Sequence, residues 1–587
     1  MSKQFASSGP NAHQGGEFTV KWKAPLLILL VLSVGLGVLA GVAFRTPTPP
    51  AHQVFINGNI LTMNVDNAVV EALSTRGDRI QNIGTTEEIM AQVDDDTQVI
   101  DLRGRTMLPG FIDAHGHFPG SGMRVIAADL NSPPIGNRLA MADVMAALKE
   151  QAAATEPGDW VSGFGYDDTL LAEKRHPTRA ELDAVSTEHP VVAMHVSGHM
   201  LVANSMALAS VGIGADSADP EGGVIGRLPG SREPNGLLEE TARLDVMRQM
   251  QDIGLVDTYR LIKAAANEYS SVGVTTAQSG GVNEALATGL SWFSALGVIP
   301  QRLVLFPFET EWGEALLNGE YDPEDYNNDK VTMGAIKIVA DGSIQGYTGY
   351  LSEPYYTPYQ GDADYRGYPA MPRETLFEQV AALHEAGYQM AIHGNGDEAI
   401  EDILDAFEAA QRQYPVDDPR MILIHGQMAR EDQIARMKDL GITPSFFTAH
   451  TWYWGDRHRD IFMGPKRAAQ ISPSKWALDH NLRFSSHLDT PVTPMLPLQA
   501  VWSQVFRITT GGDVLGPEQR IGVMDALRAV TIDAAWQVFQ EDNRGSLDPG
   551  KYADLVVLRG NPLDDPEAMR DLEVDRTVIG GVTVYKR

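Results

Sequence analysis

The sequence predicts an α/β fold: a TIM (β/α)8 barrel with a large insertion after its first strand, a small sheet domain assembled from both chain ends, and an N-terminal transmembrane helix. Three observations predict it. Short β-favouring runs alternate with helical stretches through the middle of the chain, the pattern of a parallel α/β fold. Strand-like segments broken by turn signals stand at both ends. An uncharged apolar stretch precedes them all.

Residues 1–23 read as a flexible tail, and residues 24–44 carry no charge, enough to cross the hydrocarbon core. Lys21 and Lys23 before that stretch and Arg45 after it favour a cytoplasmic N-terminus, a single anchoring helix and a catalytic body outside the cytoplasm. The rival is a cleaved signal segment ending near Ala40 or Ala43, which leaves a secreted or periplasmic body. Residues 45–51, with the Pro-rich Thr46–Pro50, form a linker. Residues 52–108 hold strand candidates Gln53–Asn64, Ala68–Ile83 and Gln98–Leu102, interrupted by the turn signals Asn57-Gly58 and Arg76-Gly77-Asp78. Residues 544–587 look alike, with Ala553–Leu558 and Arg576–Tyr585 around the turn Gly560-Asn561-Pro562.

Between the two ends, residues 109–543 supply eight strand candidates. The first ends near His117; the others are Gly273–Gln278, Arg302–Phe308, Met333–Ala340, Tyr388–His393, Met421–His425, Ile442–His450 and Leu482–Asp489. Helices such as Arg373–Ala386 and Asp397–Tyr414 fit between them, and eight βα units make a TIM barrel. Residues 119–260 far exceed a usual βα loop and have strands and helices of their own, which suggests a cap over the barrel mouth.

The ends of these strands carry the chemistry. His115 and His117 close an apolar run, and on a strand side chains at i and i+2 leave one face, aimed at a single point. Lys337 lies inside the fourth apolar run, His393 ends the fifth, His425 the sixth and Asp489 the eighth. Any one of them is more often structural, but barrel enzymes build their sites at the C-terminal strand ends, where this set would converge as metal ligands. A lysine inside a barrel is costly when charged. Carboxylation by carbon dioxide would make Lys337 an anionic bridge between two metals, and a salt bridge to a carboxylate is the alternative. The implied cofactor is divalent metal, with zinc favoured by the His and carboxylate donors, as one or two ions.

Composition excludes other chemistries. There are no cysteines, hence no disulfides, thiolate sites or Cys nucleophiles. A net charge of −31 disfavours nucleic acid. The expected partners are a small-molecule substrate and, through the N-terminal helix, the membrane; no protein partner can be argued.

Seven motifs together resemble the amidohydrolase superfamily, in its YtcJ-like (amidohydrolase 3) branch, which includes N-substituted formamide deformylases. They are Pro109-Gly-Phe-Ile-Asp-Ala-His-Gly-His117, Val196-Ser-Gly-His-Met-Leu-Val-Ala-Asn204, Lys337-Ile-Val-Ala-Asp-Gly-Ser343, Ala391-Ile-His-Gly-Asn-Gly396, His425-Gly-Gln427, Ser485-Ser-His-Leu-Asp489 and Gly545-Ser-Leu-Asp-Pro-Gly-Lys-Tyr-Ala-Asp-Leu-Val-Val557. The resemblance covers about residues 52–587 and implies a metal-bearing TIM barrel beside a β-sandwich built from both ends. One departure stands out: such families often place the aspartate directly after the serines, whereas here His487 and Leu488 intervene before Asp489.

The implied reaction is metal-assisted hydrolysis of a non-peptide, amide-like C–N bond, with Asp489 as general base and then acid. His487 would then point towards the substrate. His199 and Asn204 of the insert would reach over the site, or else bond locally within the cap. Trp452, with Tyr453 and Trp454, would wall an apolar pocket, or else pack. The alternatives are a membrane-anchored binding or regulatory protein on the same barrel, and a metal-dependent isomerase or decarboxylase. A serine hydrolase is disfavoured by the absence of a Gly-x-Ser-x-Gly elbow.

Overall fold

The computed structural model describes residues 47–250 and 253–587. The expected membrane helix over 24–44 lies outside the described residues. Among those residues no helix is long and apolar enough to cross a membrane. The transmembrane helix, the membrane as partner and the anchored localisation are therefore corrected. They rested on the uncharged stretch over 24–44 and its flanking charges, and no helix among the described residues supplies such a span.

Strands from the two chain ends share one six-stranded sheet, in the order Val582–Lys586, Val574–Ile579, Leu555–Leu558, Thr106–Pro109, Asn59–Leu61 and Val69–Val70. A second sheet runs Arg79–Gly84, Ala72–Arg76, His52–Ile56 and Gln98–Asp101. Alternating residues give each sheet an apolar face, and Phe55 and Leu73 of one sheet meet Met107, Leu555, Val557 and Val578 of the other in a common core. This unit is tied to the middle of the chain by the buried pair Arg302–Asp554 at 2.8 Å, with Tyr552 stacked on the guanidinium.

Parallel strands follow in the order Phe111–Ile112, Val274–Val282, Arg302–Pro307 and Val331–Met333, then Ile336–Val339, Met390–Gly394, Met421–His425, Ile442–Phe446 and Ser485–Ser486. The single run expected at Met333–Ala340 is thus divided at Gly334 and Ala335. Its first half pairs backward with Arg302–Pro307 and its second half forward with Met390–Gly394. The ends approach each other through Asp489 N–H donating to the His115 carbonyl at 3.2 Å and His117 N–H donating to the Thr490 carbonyl at 2.7 Å, which completes a ring. Helices Arg373–Glu385 and Asp397–Gln413 lie within a residue of their expected bounds.

Three strands are shorter than the hydrophobic runs suggest. Regular pairing of the first ends at Ile112, so His115 and His117 stand beyond it, with only an isolated bridge from His117 to Ser279. The seventh ends at Phe446, because a turn that begins with the His450 N–H bonding the Phe447 carbonyl leads into helix His450–Arg457. The eighth is two residues long. Apolar residues continue past each strand since the following turns are buried too.

The insert folds around its own six-stranded sheet, ordered Gly223–Arg227, Pro234–Glu240, Met200–Ala203, Val191–His195, Val161–Tyr166 and Ala128–Asp129. Successive residues take opposite faces. Val191 and Ala193 pack with helix Met141–Ala154, while Val192 packs with helix Ser205–Ser210.

Candidate metal centre

Ligating atoms of His115, His117 and Asp489 lie within 4.8 Å of one another. His115 is buried, whereas the His117 side chain is 41% exposed, so the pair has one wet and one dry member. The His115 Nδ1–H donates to Gln278 Oε1 at 2.8 Å, and that amide is itself oriented by its Nε2–H donating to the Ala114 carbonyl at 2.7 Å. This fixes the tautomer and leaves the lone pair on Nε2 facing inward, the arrangement that metal-ligating histidines require. Gly280 makes room for the ring: a Cβ there would stand 2.2 Å from His115 Cε1.

Asp489 Oδ1 is buried, 3.2 Å from His117 Nε2 and 3.8 Å from His115 Nε2, without a hydrogen bond of good geometry. Lone pairs converging at that spacing repel unless a proton or cation sits among them. A divalent cation fits, and the donor set of imidazole and carboxylate suits one. Burial pushes the Asp489 carboxyl up, but the close approach of the His117 ring, with His115 and His487 beside it, overturns that and holds it below the carboxylate range.

Lys337 is buried with Nζ 3.4 Å from His115 Nε2, and among the described residues no carboxylate pairs with it in an ion pair. Burial lowers its amine to about 7, against an opposing pull from Asp489. The rings of His393 and His425 meet edge-on at 4.6 Å, and His425 lies 5.8 Å from His115. Burial and neighbouring positive groups hold all three of these imidazoles well below their usual pKa, which keeps them neutral and available as ligands. Asp341 Oδ1 lies 3.2 Å from His393 Nδ1, although off the line of a good hydrogen bond. Burial raises the Asp341 carboxyl to about 7 even as the Asn395, Gly396 and Tyr350 N–H groups bond it.

Of the expected substrate contacts, the structure brings two to this centre, His199 and His487. The ring of His199 stands 5.1 Å from that of His393. His487 is near but buried, with Nε2 3.0 Å from His425 Nδ1 and Nδ1 2.9 Å from Ser445 Oγ, so it braces His425. Asn204 is buried within the insert as the N-cap of helix Ser205–Ser210. Its Oδ1 accepts from Ala207 N–H and Val191 N–H and its Nδ2 donates to the His189 carbonyl, so the side chain is consumed locally. Trp452 packs edge-on against Trp502 at 5.5 Å under Arg570. Gln278, Asp341 and Ser445 were not foreseen. The first ends a strand the sequence had placed and the second lies within a quoted motif, so position alone could have flagged both.

A second cluster, Asp167, Asp168 and His195, belongs to the insert. It is less suited to a cation. The Ser197 N–H donates to His195 Nδ1 at 3.2 Å, which puts the ring's proton on Nε2, facing Asp168 Oδ1 at 3.2 Å. Asp167 already bonds the Arg457 guanidinium and the Trp454 indole N–H. These contacts latch the insert to the helix after the seventh strand.

Residues 98–585 match the model of the amidohydrolase family, over most of the chain. The chain belongs to the amidohydrolase family. The N-substituted formamide deformylase of Arthrobacter pascens is 30% identical over 551 residues, covering 91% of this chain and 98% of its own. The Bacillus subtilis protein YtcJ, which bears the name of an amidohydrolase, is 28% identical over 91% of this chain and 99% of its own. The crystal structure of a metal-dependent hydrolase from Pyrococcus horikoshii superposes with a TM-score of 0.70 at 24% identity, over 88% of this chain and 99% of that one, a likeness of fold. This amidohydrolase is an enzyme acting on carbon–nitrogen bonds, and a divalent metal belongs to its chemistry.

Proposed function

We propose that the chain hydrolyses an N-substituted amide of small size, an N-substituted formamide in the first instance, on a ring that we read as a (β/α)8 barrel. The observation that carries this reading is the convergence of His115, His117 and Asp489 with Lys337, while Gln278 fixes the His115 tautomer. The name of the 30% identical relative supports the choice of substrate class.

His115, His117, His393, His425 and Asp489 are the residues that would hold the metal, with zinc the ion best matched to the donors. When bound, such an ion polarises a carbonyl and lowers the pKa of water from about 15.7 to about 7. Lys337 would join as a bridge if its neutral amine adds to carbon dioxide, forming an N–C bond and releasing one proton. Its burial beside His115 supports this, because an ammonium there is costly. Asp489 is the general base: it takes the proton of the attacking water and returns it to the leaving nitrogen as the C–N bond breaks. His487 holds His425 through the hydrogen bond between their rings.

Asp489→Asn tests the assignment. The variant is expected to fold and to retain most of its metal while formate release falls about 10²- to 10⁴-fold. Wild-type turnover in that variant would remove Asp489 from the reaction.

A further inference from the structure

The insert sends one side chain to the metal ligands, and that side chain is held with unusual firmness. His199 follows strand Val191–His195 and leads into Met200–Ala203; its ring is 16% exposed beside His393. Glu240 grips it twice. The Glu240 N–H donates to the His199 carbonyl at 2.9 Å, and the His199 Nδ1–H donates to Glu240 Oε2 at 2.8 Å.

Glu240 occupies an unfavourable backbone to do so. Its φ of 49° and ψ of −121° belong to a region that glycine alone adopts readily. Such strain costs about 1–3 kcal/mol and persists where the surroundings demand it. A glycine in this place would be relaxed but could hold nothing. The carboxylate is buried against the loop after the fourth strand, so closely that a Cβ on Gly342 would come within 2.1 Å of Glu240 Oε1. One carboxylate thus joins the insert's histidine to the Asp341-Gly342-Ser343 turn beside the metal ligands.

We infer that Glu240 is a positioning residue: it fixes His199 over the metal centre with Nδ1 bound and Nε2 presented to the substrate's carbonyl oxygen. The Nδ1–H bond selects the tautomer, and the backbone bond sets where the ring pivots. The insert therefore completes the reacting site rather than only roofing it. This inference rests on the hydrolytic reading above, and its test is separable from that reading.

The experiment uses the full chain with its metal restored. Glu240→Gln, His199→Ala and the double variant are compared for formate release from N-alkyl and N-aryl formamides, for metal per chain and for melting temperature. Each single variant is expected to lose about 10²-fold in kcat, with KM and metal content near wild type. The double variant is expected to be no slower than His199→Ala, since Glu240 acts through that ring. Losses that multiply in the double variant, or that track metal or melting temperature, would overturn the inference. Ring ¹⁵N shifts of His199, assigned from His199→Ala, give a readout independent of turnover and of any Glu240 variant. A protonated Nδ1 in the wild type is expected, and an unprotonated Nδ1 would refute the positioning. If no formamide is hydrolysed while Nδ1 is protonated, the substrate assignment fails and the Glu240–His199 pairing stands.

Discussion

Gly280→Ala isolates the geometry of His115, the buried candidate ligand. Gly280 lies on the second ring strand, and its backbone is one that any residue adopts, so the cost of a methyl group is steric. The new Cβ would lie 2.2 Å from His115 Cε1 and 2.6 Å from Nδ1. That is about 1 Å short of ordinary van der Waals contact. The imidazole cannot swing away freely, because Gln278 Oε1 holds Nδ1 at 2.8 Å and Lys337 Nζ lies 3.4 Å from Nε2. A metal site tolerates about 0.5 Å of ligand displacement. The overpacking should cost about 1–3 kcal/mol of stability, and the misplaced ligand about 10- to 100-fold in metal affinity. The assay is titration of stripped protein with Zn²⁺ against a competing chelator, alongside circular dichroism to confirm folding. Wild-type affinity in a folded Gly280→Ala protein would refute the placement of His115 as a ligand.

Other outcomes follow from the same contacts. Asp554→Ala removes the partner of buried Arg302 and the acceptor for the Gly580 N–H; it should destabilise the chain by about 3–5 kcal/mol in denaturant unfolding, with no change in metal per chain. Asn204→Ala should cost about 1–3 kcal/mol while leaving kcat unchanged, because its bonds all lie within the insert; a selective loss of turnover would restore it to the substrate site. Burial raises the Glu239 carboxyl from 4.5 to about 7, with Glu240 adding to the rise and Tyr368 and Tyr359 opposing it. Folding therefore takes up a proton between those values, so stability falls as pH rises from about 4.5 to about 7 and stays lowered above, by up to about 3 kcal/mol. Glu239→Gln should flatten this fall, and unchanged pH dependence of its unfolding would show that the group is not the source.

Much of the site was legible because each ligand candidate ends or interrupts an apolar run. His393 and His425 sit at the ends of paired strands. His115 and His117 were legible for a slightly wrong reason: they stand past the regular strand, positioned by a turn and by Gln278, and their burial differs accordingly. Asn204 carried its own warning, since an Asn before Ser-Met-Ala-Leu-Ala is a helix N-cap signal. The aromatic run Trp452-Tyr453-Trp454 lies on a helix, so Trp452 turns to Trp502 while Tyr453 and Trp454 line one small cavity beside Asp167, to which the Trp454 indole donates. Glu240 was beyond sequence reasoning, because a strand pairing within the insert, and not spacing along the chain, brings it to His199. The membrane helix was inferred from the uncharged stretch over 24–44 and its flanking charges, which lie outside the described residues, and no helix among the described residues is long and apolar enough to cross a membrane.

The central claim is metal-dependent hydrolysis at the His115, His117 and Asp489 centre. Its most direct test is formate release from an N-substituted formamide by the full chain, measured after chelator stripping and again after refilling with Zn²⁺, with metal per chain determined on the same samples. The account predicts no release from stripped protein and recovery as divalent metal returns to wild-type content. Undiminished release from protein shown to carry no metal would contradict it.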